Sequence, residues 1–154
     1  MQFHQLSAKD WAKTLIIGLV AAAVTAVTMQ GLLRAGISPL PEPLGLAFAR
    51  LLLGDVPLPV GLLFHTVWNV AFVAFFVVMF GDSLSFGRAI ALAAALWGLV
   101  LVVFFPIVGW GFFGLAITPK LIVAAGGIHL LFAILLWGGC RIAFGTAVPG
   151  AAAQ

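Results

Sequence analysis

Residues 57–80 read PLPVGLLFHTVWNVAFVAFFVVMF. The stretch holds no Asp, Glu, Lys or Arg. As a helix rising about 1.5 Å per residue it is long enough to cross a hydrocarbon layer of about 30 Å. It is closed by Gly81, Asp82 and Ser83, where charge and turn chemistry return together.

Three more stretches of the same kind flank it. Thr14–Leu33 is uncharged and follows a polar head, residues 1–13, in which Lys9, Asp10 and Lys13 surround Trp11. Ser7 stands three residues before Asp10 and suits the cap of a helix entering the bilayer. A cleaved leader is the rival reading of this region, because the run around Ala21–Ala26 is rich in small residues. The apolar run is too long for a leader's core, which favours an uncleaved span. Arg88–Gly111 forms a third span, with Pro106 kinking its last turn. Pro119–Cys140 forms a fourth, and residues 142–154 read as a flexible tail. The expected fold is all-α: a four-transmembrane-helix bundle occupying residues 14–141, with spans at about 14–33, 57–80, 88–111 and 119–140.

The first loop is the exception. Pro39, Pro41 and Pro43 forbid a continuing helix and suit the start of a new one. Leu44–Leu53 is too short to span and reads as an interfacial or re-entrant helix, with Arg50 reaching for the headgroups. Gly109–Gly114, glycine-rich and aromatic, suits the bilayer interface.

Composition agrees. Of 154 residues, 64% are hydrophobic and 7% charged, against about 25% charged in a soluble domain. The net charge of +3 comes from seven scattered cations. No cluster among them resembles a nucleic-acid stripe, so the bilayer itself is the first partner expected. The single cysteine, Cys140, excludes an intrachain disulfide and reads as a small packing residue. Lys9, Lys13, Arg88 and Arg141 fall on one side of the membrane, and Arg34, Arg50 and Lys120 on the other. The excess of loop cations places both termini in the cytoplasm. Small residues spaced by four, Gly18 with Ala22 and Ala94 with Gly98, suit close helix contacts.

Chemistry inside the spans is sparse. Thr25, Thr28 and Gln30 lie in the first, His65, Thr66 and Asn69 in the second, and His129 in the fourth. No acid lies deep in any span, which argues against a carboxylate proton relay. His65 and Asn69 share a helix face with Trp68, Phe72 and Phe76. Gly126, His129, Ala133 and Trp137 share another. The second and fourth spans run in the same direction. Both histidines therefore sit at matched depth, roughly 12–14 Å from the same end.

Three readings of that pair stand. The imidazoles lock the bundle by bonding each other, Asn69 or a backbone carbonyl. Alternatively His65 and His129 hold a haem b from its two faces, with Arg50 and Lys120 reaching its propionates. Or they contact another small ligand, with Asn69 and Trp68. Zinc is disfavoured, since no Cys, Asp or Glu lies near enough in sequence to complete its ligands. Glu42 and His4 read as solvated loop and head residues, and Asp82 as a helix terminator. No phosphate loop, nucleophile elbow, His-Glu-x-x-His or Cys-x-x-Cys is present.

The chain resembles the small, four-span YagU-like inner-membrane proteins. The resemblance rests on the Pro-rich connection and short helix ending Leu53–Gly54 with Gly61-Leu-Leu-Phe-His65. It rests also on Trp97-Gly98 through Pro106 to Gly109-Trp-Gly-Phe-Phe-Gly114, and on Ile128-His129-Leu-Leu-Phe. Trp68 and Asn69 stand where such proteins tend to carry glycines. The resemblance implies a four-helix multi-pass fold in the cell's inner membrane and no particular reaction. It gives His65 and His129 more weight than chance histidines. The leading expectation is a non-enzymatic accessory or assembly subunit, or a homo-oligomer. The alternatives are a haem b electron-transfer or quinone-reactive subunit and a small-molecule channel or carrier.

Overall fold

A computed structural model describes residues 6–149. The chain is all-helical among those residues: α1 (Ala8–Arg34), α2 (Leu44–Leu53), α3 (Leu58–Phe80), α4 (Phe86–Ile107) and α5 (Lys120–Phe144). All but α2 are long and apolar enough to cross a membrane. In none of the four is more than 28% of the most apolar stretch buried inside the bundle. Leu15, Ile16, Val27, Val123 and Ile142 point outward with nothing over them. Water would not tolerate that much continuous apolar surface on a monomer, and lipid does. The protein is an integral membrane protein.

Local chemistry explains where the helices begin. Ser7 accepts from Asp10 N at 3.2 Å, and the Asp10 carboxylate accepts from Ser7 N at 3.2 Å. This reciprocal capping box satisfies two amides that have no helical partner. Ser85 does half as much for α4, accepting from Arg88 N at 3.3 Å. Pro43 and Pro57 precede α2 and α3, where a missing N–H costs nothing.

The helices form an open chain of neighbours. α1 lies between α3 and α5, α4 packs on α5, and α2 packs on α3. α3 and α4 are consecutive and joined only by Gly81–Ser85, yet their backbones approach each other little and they meet through side chains. Three crossings are set by glycine. A Cβ on Gly18 would stand 2.8 Å from Val70 Cα, one on Gly139 2.8 Å from Ile17 Cγ2, and one on Gly61 2.6 Å from Leu46 Cα. Dispersion between close backbones replaces the hydrophobic drive that lipid removes. Val73, Phe76, Val77, Ala133, Leu136 and Cys140 form the buried centre.

Several local expectations change. α4 ends at Ile107, short of Gly111, where Gly109 takes φ 82° and Trp110 N donates back to Phe105 O at 2.8 Å. Pro106, with no N–H to donate and a ring that crowds the turn before it, disturbs the helix upstream. The disturbance reaches back as a π-turn over Val100–Phe104, where Phe105 N donates to Val100 O five residues earlier. The chain from Ile142 to Val148 is not a loose tail. α5 continues to Phe144, Leu84 N donates to Thr146 O at 2.7 Å, and Val148 N donates to Gly81 O at 2.8 Å. Residues 150–154 and His4 lie outside the described residues. Ala94 and Gly98 make no close helix contact: Ala94 is exposed, and a Cβ on Gly98 would meet nothing within 4 Å. Glu42 is not a bare loop charge, and Asp82, at the turn after α3, is paired as well. Glu42 accepts from Arg50 Nη1 at 2.6 Å, and Asp82 accepts from Arg88 Nη1 at 2.7 Å.

Candidate functional site

The open arrangement of the helices leaves a cavity of about 190 Å³ in the half of the bundle nearest the Pro-rich loop. Thr25, Met29 and Gln30 of α1 and Ala125, Ile128, His129 and Phe132 of α5 form its back wall. His65, Trp68, Asn69 and Phe72 of α3 form one flank, and Leu96, Leu99, Val100, Phe104 and Phe105 of α4 the other. Leu40, Pro43, Leu44 and Phe48 lie across its end. The short helix α2 therefore roofs the cavity as well as bracing α3.

His65, Trp68, Asn69 and His129, the four residues singled out from sequence, all line this one space. Phe76 and Ala133 share their helix faces but sit deeper, in the packed centre. The two histidines are bonded differently. His65 Nε2 lies 3.0 Å from Thr25 Oγ1 and 3.2 Å from Asn69 Nδ2. Asn69 also donates to His65 O at 2.9 Å. Thr25 in turn reaches Ala21 O at 2.7 Å. His65 is thus built into a polar clasp between α1 and α3. His129 Nδ1 lies 2.8 Å from Ala125 O. A carbonyl oxygen only accepts, so the ring proton is on Nδ1 and Nε2 is left as a bare acceptor. No partner for that nitrogen occurs among the described residues, and it is not sealed within protein. Gln30 Nε2 is buried and meets no acceptor.

Aromatic rings span the gap between α3 and α4. Trp68 meets Phe104 edge to face at 5.6 Å and stacks on Phe72 at 5.6 Å. Phe48 meets Phe104 at 5.4 Å and Phe64 at 5.9 Å. Phe104 closes the π-turn, so the irregularity in α4 aims the ring that bridges the gap. Single π-turns inside α-helices are frequent at functional positions.

A bis-histidine haem does not fit this arrangement. His65 Nε2, the nitrogen that would bind iron, is held by Thr25 and Asn69. The cavity is close to one of about 150 Å³ that holds a benzene, far from the size of a macrocycle. Arg50 lies outside the lining and is engaged by Glu42 at 2.6 Å and Asp55 at 3.7 Å. Lys120 also lies outside it, on a shallow hollow at the loop end of α1 and α5. Among the described residues no group of three or more His, Cys, Asp or Glu could hold a metal ion.

No family model, curated protein or solved structure matches the chain.

Sequence reasoning missed three parts of the site. Thr25 and Gln30 are visible as polar residues of the first span. Counting back from Arg34 at about 1.5 Å per residue puts Thr25 near the depth of both histidines. That count signals Thr25 as their partner. The contribution of Phe104 depends on the π-turn, whose only trace in the sequence is Pro106. The roofing role of α2 has no sequence signal beyond its length.

Proposed function

We propose that this protein binds a lipid-soluble small molecule within the membrane and exchanges it sideways with the bilayer between α3 and α4. One observation carries the reading. Beside the cavity the backbones of two consecutive spans stay apart, and the Trp68 and Phe104 rings bridge them there. The cavity wall is largely aliphatic and aromatic with a few converging polar groups, the usual make-up of a small-molecule site. α2 lies across its loop end, which leaves lipid as the source and destination of the ligand. No acid lines the cavity, so proton-coupled pumping has no obvious relay. Passive binding or carriage fits better.

Photolabelling tests this. A long-chain alkane carrying a diazirine is equilibrated with the protein in liposomes and activated. The reading expects label concentrated on Phe72, Leu99 and Phe104, and displaced by excess unlabelled alkane. Label spread evenly over outward residues such as Val27 and Val123, with no displacement, would overturn it.

A second reading, an accessory subunit or homo-oligomer, draws on α4. Ala91, Ala94 and Ala95 are exposed there beside Gly98, a small-residue face free to take a partner helix. Crosslinking through cysteines at 91 and 95 in native membranes tests it, and absence of any crosslinked species would remove its support. The YagU-like resemblance, the inner-membrane location and the cytoplasmic termini belong to the same proposal.

A further inference from the structure

Resting on the cavity reading, we infer that the ligand is a neutral lipid with a free hydroxyl group, whose O–H is taken by His129 Nε2. The class follows from what the site lacks as much as from what it holds. No Lys or Arg lines the cavity, and the nearby Arg50 is spent on Glu42 and Asp55. A carboxylate or phosphate there would be an uncompensated charge in a low-dielectric space. The ligand is therefore uncharged. A pure hydrocarbon would leave His129 Nε2 unsatisfied, and in lipid an unmatched polar group costs several kcal/mol. An ether, ester or quinone carbonyl offers only acceptors, which the bare nitrogen cannot use. A hydroxyl supplies the missing donor.

The same hydroxyl keeps two lone pairs. Gln30 Nε2 has no acceptor where it lies, so turning its amide toward the cavity breaks no bond. One alcohol oxygen can then give its proton to His129 and accept from Gln30. The Thr25 hydroxyl and the Asn69 amide nitrogen are already engaged, with His65 and with backbone carbonyls, which leaves Gln30 Nε2 as the unengaged donor beside His129. A space of about 190 Å³ accommodates the head and first carbons of a chain. The rest must run out between α3 and α4 into the bilayer. Long-chain alcohols, prenols, diacylglycerols and quinols share this chemistry.

Competition against the diazirine alkane label separates this inference from the reading beneath it. The competitors are hexadecanol, its methyl ether and hexadecanoate, matched in chain length. Hexadecanol is expected to displace the label at a concentration at least about tenfold below that of the methyl ether, since losing one hydrogen bond to an acceptor held away from water is worth about that factor. Hexadecanoate is expected to be weaker than hexadecanol by a similar factor at neutral pH. In His129→Phe the alcohol and the ether should become equal while the alkane still binds. Equal potency of all three competitors in the wild-type protein overturns the hydroxyl assignment and leaves the cavity reading standing, with water satisfying His129. Failure of every competitor, alkane included, overturns both. The wild-type comparison needs no variant, so misfolding of His129→Phe would not blunt it.

Discussion

Thr25 sits at a point of α1 where its hydroxyl reaches Ala21 O within the helix and His65 across the helix boundary. Hydrogen bonds between membrane helices average about 0.6 kcal/mol, because the separated helices also find partners. A double-mutant cycle with Thr25→Val and His65→Phe is expected to return a coupling of that order in a detergent–denaturant unfolding titration. Additive effects would mean that the clasp contributes nothing. Thr28→Val should change stability little, because no bond is formed by Thr28 among the described residues. The histidines were legible as a pair because depth and helix direction can be counted from sequence. Their separate jobs were not. His65 is a bundle clasp because Thr25 and Asn69 reach its Nε2, whereas His129 turns Nδ1 back on its own helix and keeps Nε2 open. Tautomer and partner depend on which helices become neighbours, and the sequence carries no neighbour order.

At the scale of elements, α2 was legible to the residue, since proline before it and Gly54 after it leave only one helical stretch between. What it rests on was not legible. Its contact with α3 is a backbone approach: Gly45 would place a Cβ 2.7 Å from Gly61 O, and Gly61 would place one 2.6 Å from Leu46 Cα. Gly61→Val should therefore overpack the joint and cost about 1–3 kcal/mol. It should also make the Gly54–Asp55 link more sensitive to protease in reconstituted protein. Gly127→Ala, where an added Cβ meets nothing within 4 Å, serves as the control and should be neutral or better. Equal stability of both variants would show that α2 is not seated on α3. In α4 the sequence announced a kink at Pro106 but not the π-turn that swings Phe104 into the gap. Phe104→Ala removes the ring that both Trp68 and Phe48 touch. With the gap unbarred, bound alkane should exchange several-fold faster in a chase experiment. An unchanged exchange rate would mean that the rings do not control access.

In the whole molecule the start of α1 and the end of α5 share one face, where Lys13 lies over the Phe144 ring, as four crossings require. Which face that is rests on a small imbalance of cations: Lys9, Lys13, Arg88 and Arg141 against Arg34, Arg50 and Lys120. Cations near the ends of spans resist translocation, and acidic residues matter little to the choice. The structure bears on this balance because some cations are anchored. Arg88 is tied to Asp82 at 2.7 Å and lies over Phe80, and Lys13 lies over the Phe144 ring at 5.0 Å. Lys9 and Lys13 are the only cations before the first span. Replacing both with Gln turns an excess on the terminal side into a deficit, at the loss of one contact between helices, that of Lys13 with the Phe144 ring. The double variant is therefore expected to insert in mixed orientation, where a single orientation is expected of the parent. Labelling of a cysteine placed at Ser38 with a membrane-impermeant maleimide, in intact cells and in inverted vesicles, reads the two populations directly. Retention of a single orientation in the Lys9→Gln, Lys13→Gln protein would show that orientation is fixed after the first span, by the docking of α5 and Val148 onto the Gly81–Leu84 turn. That outcome would move the decision from the charges of the chain to the packing of the finished bundle.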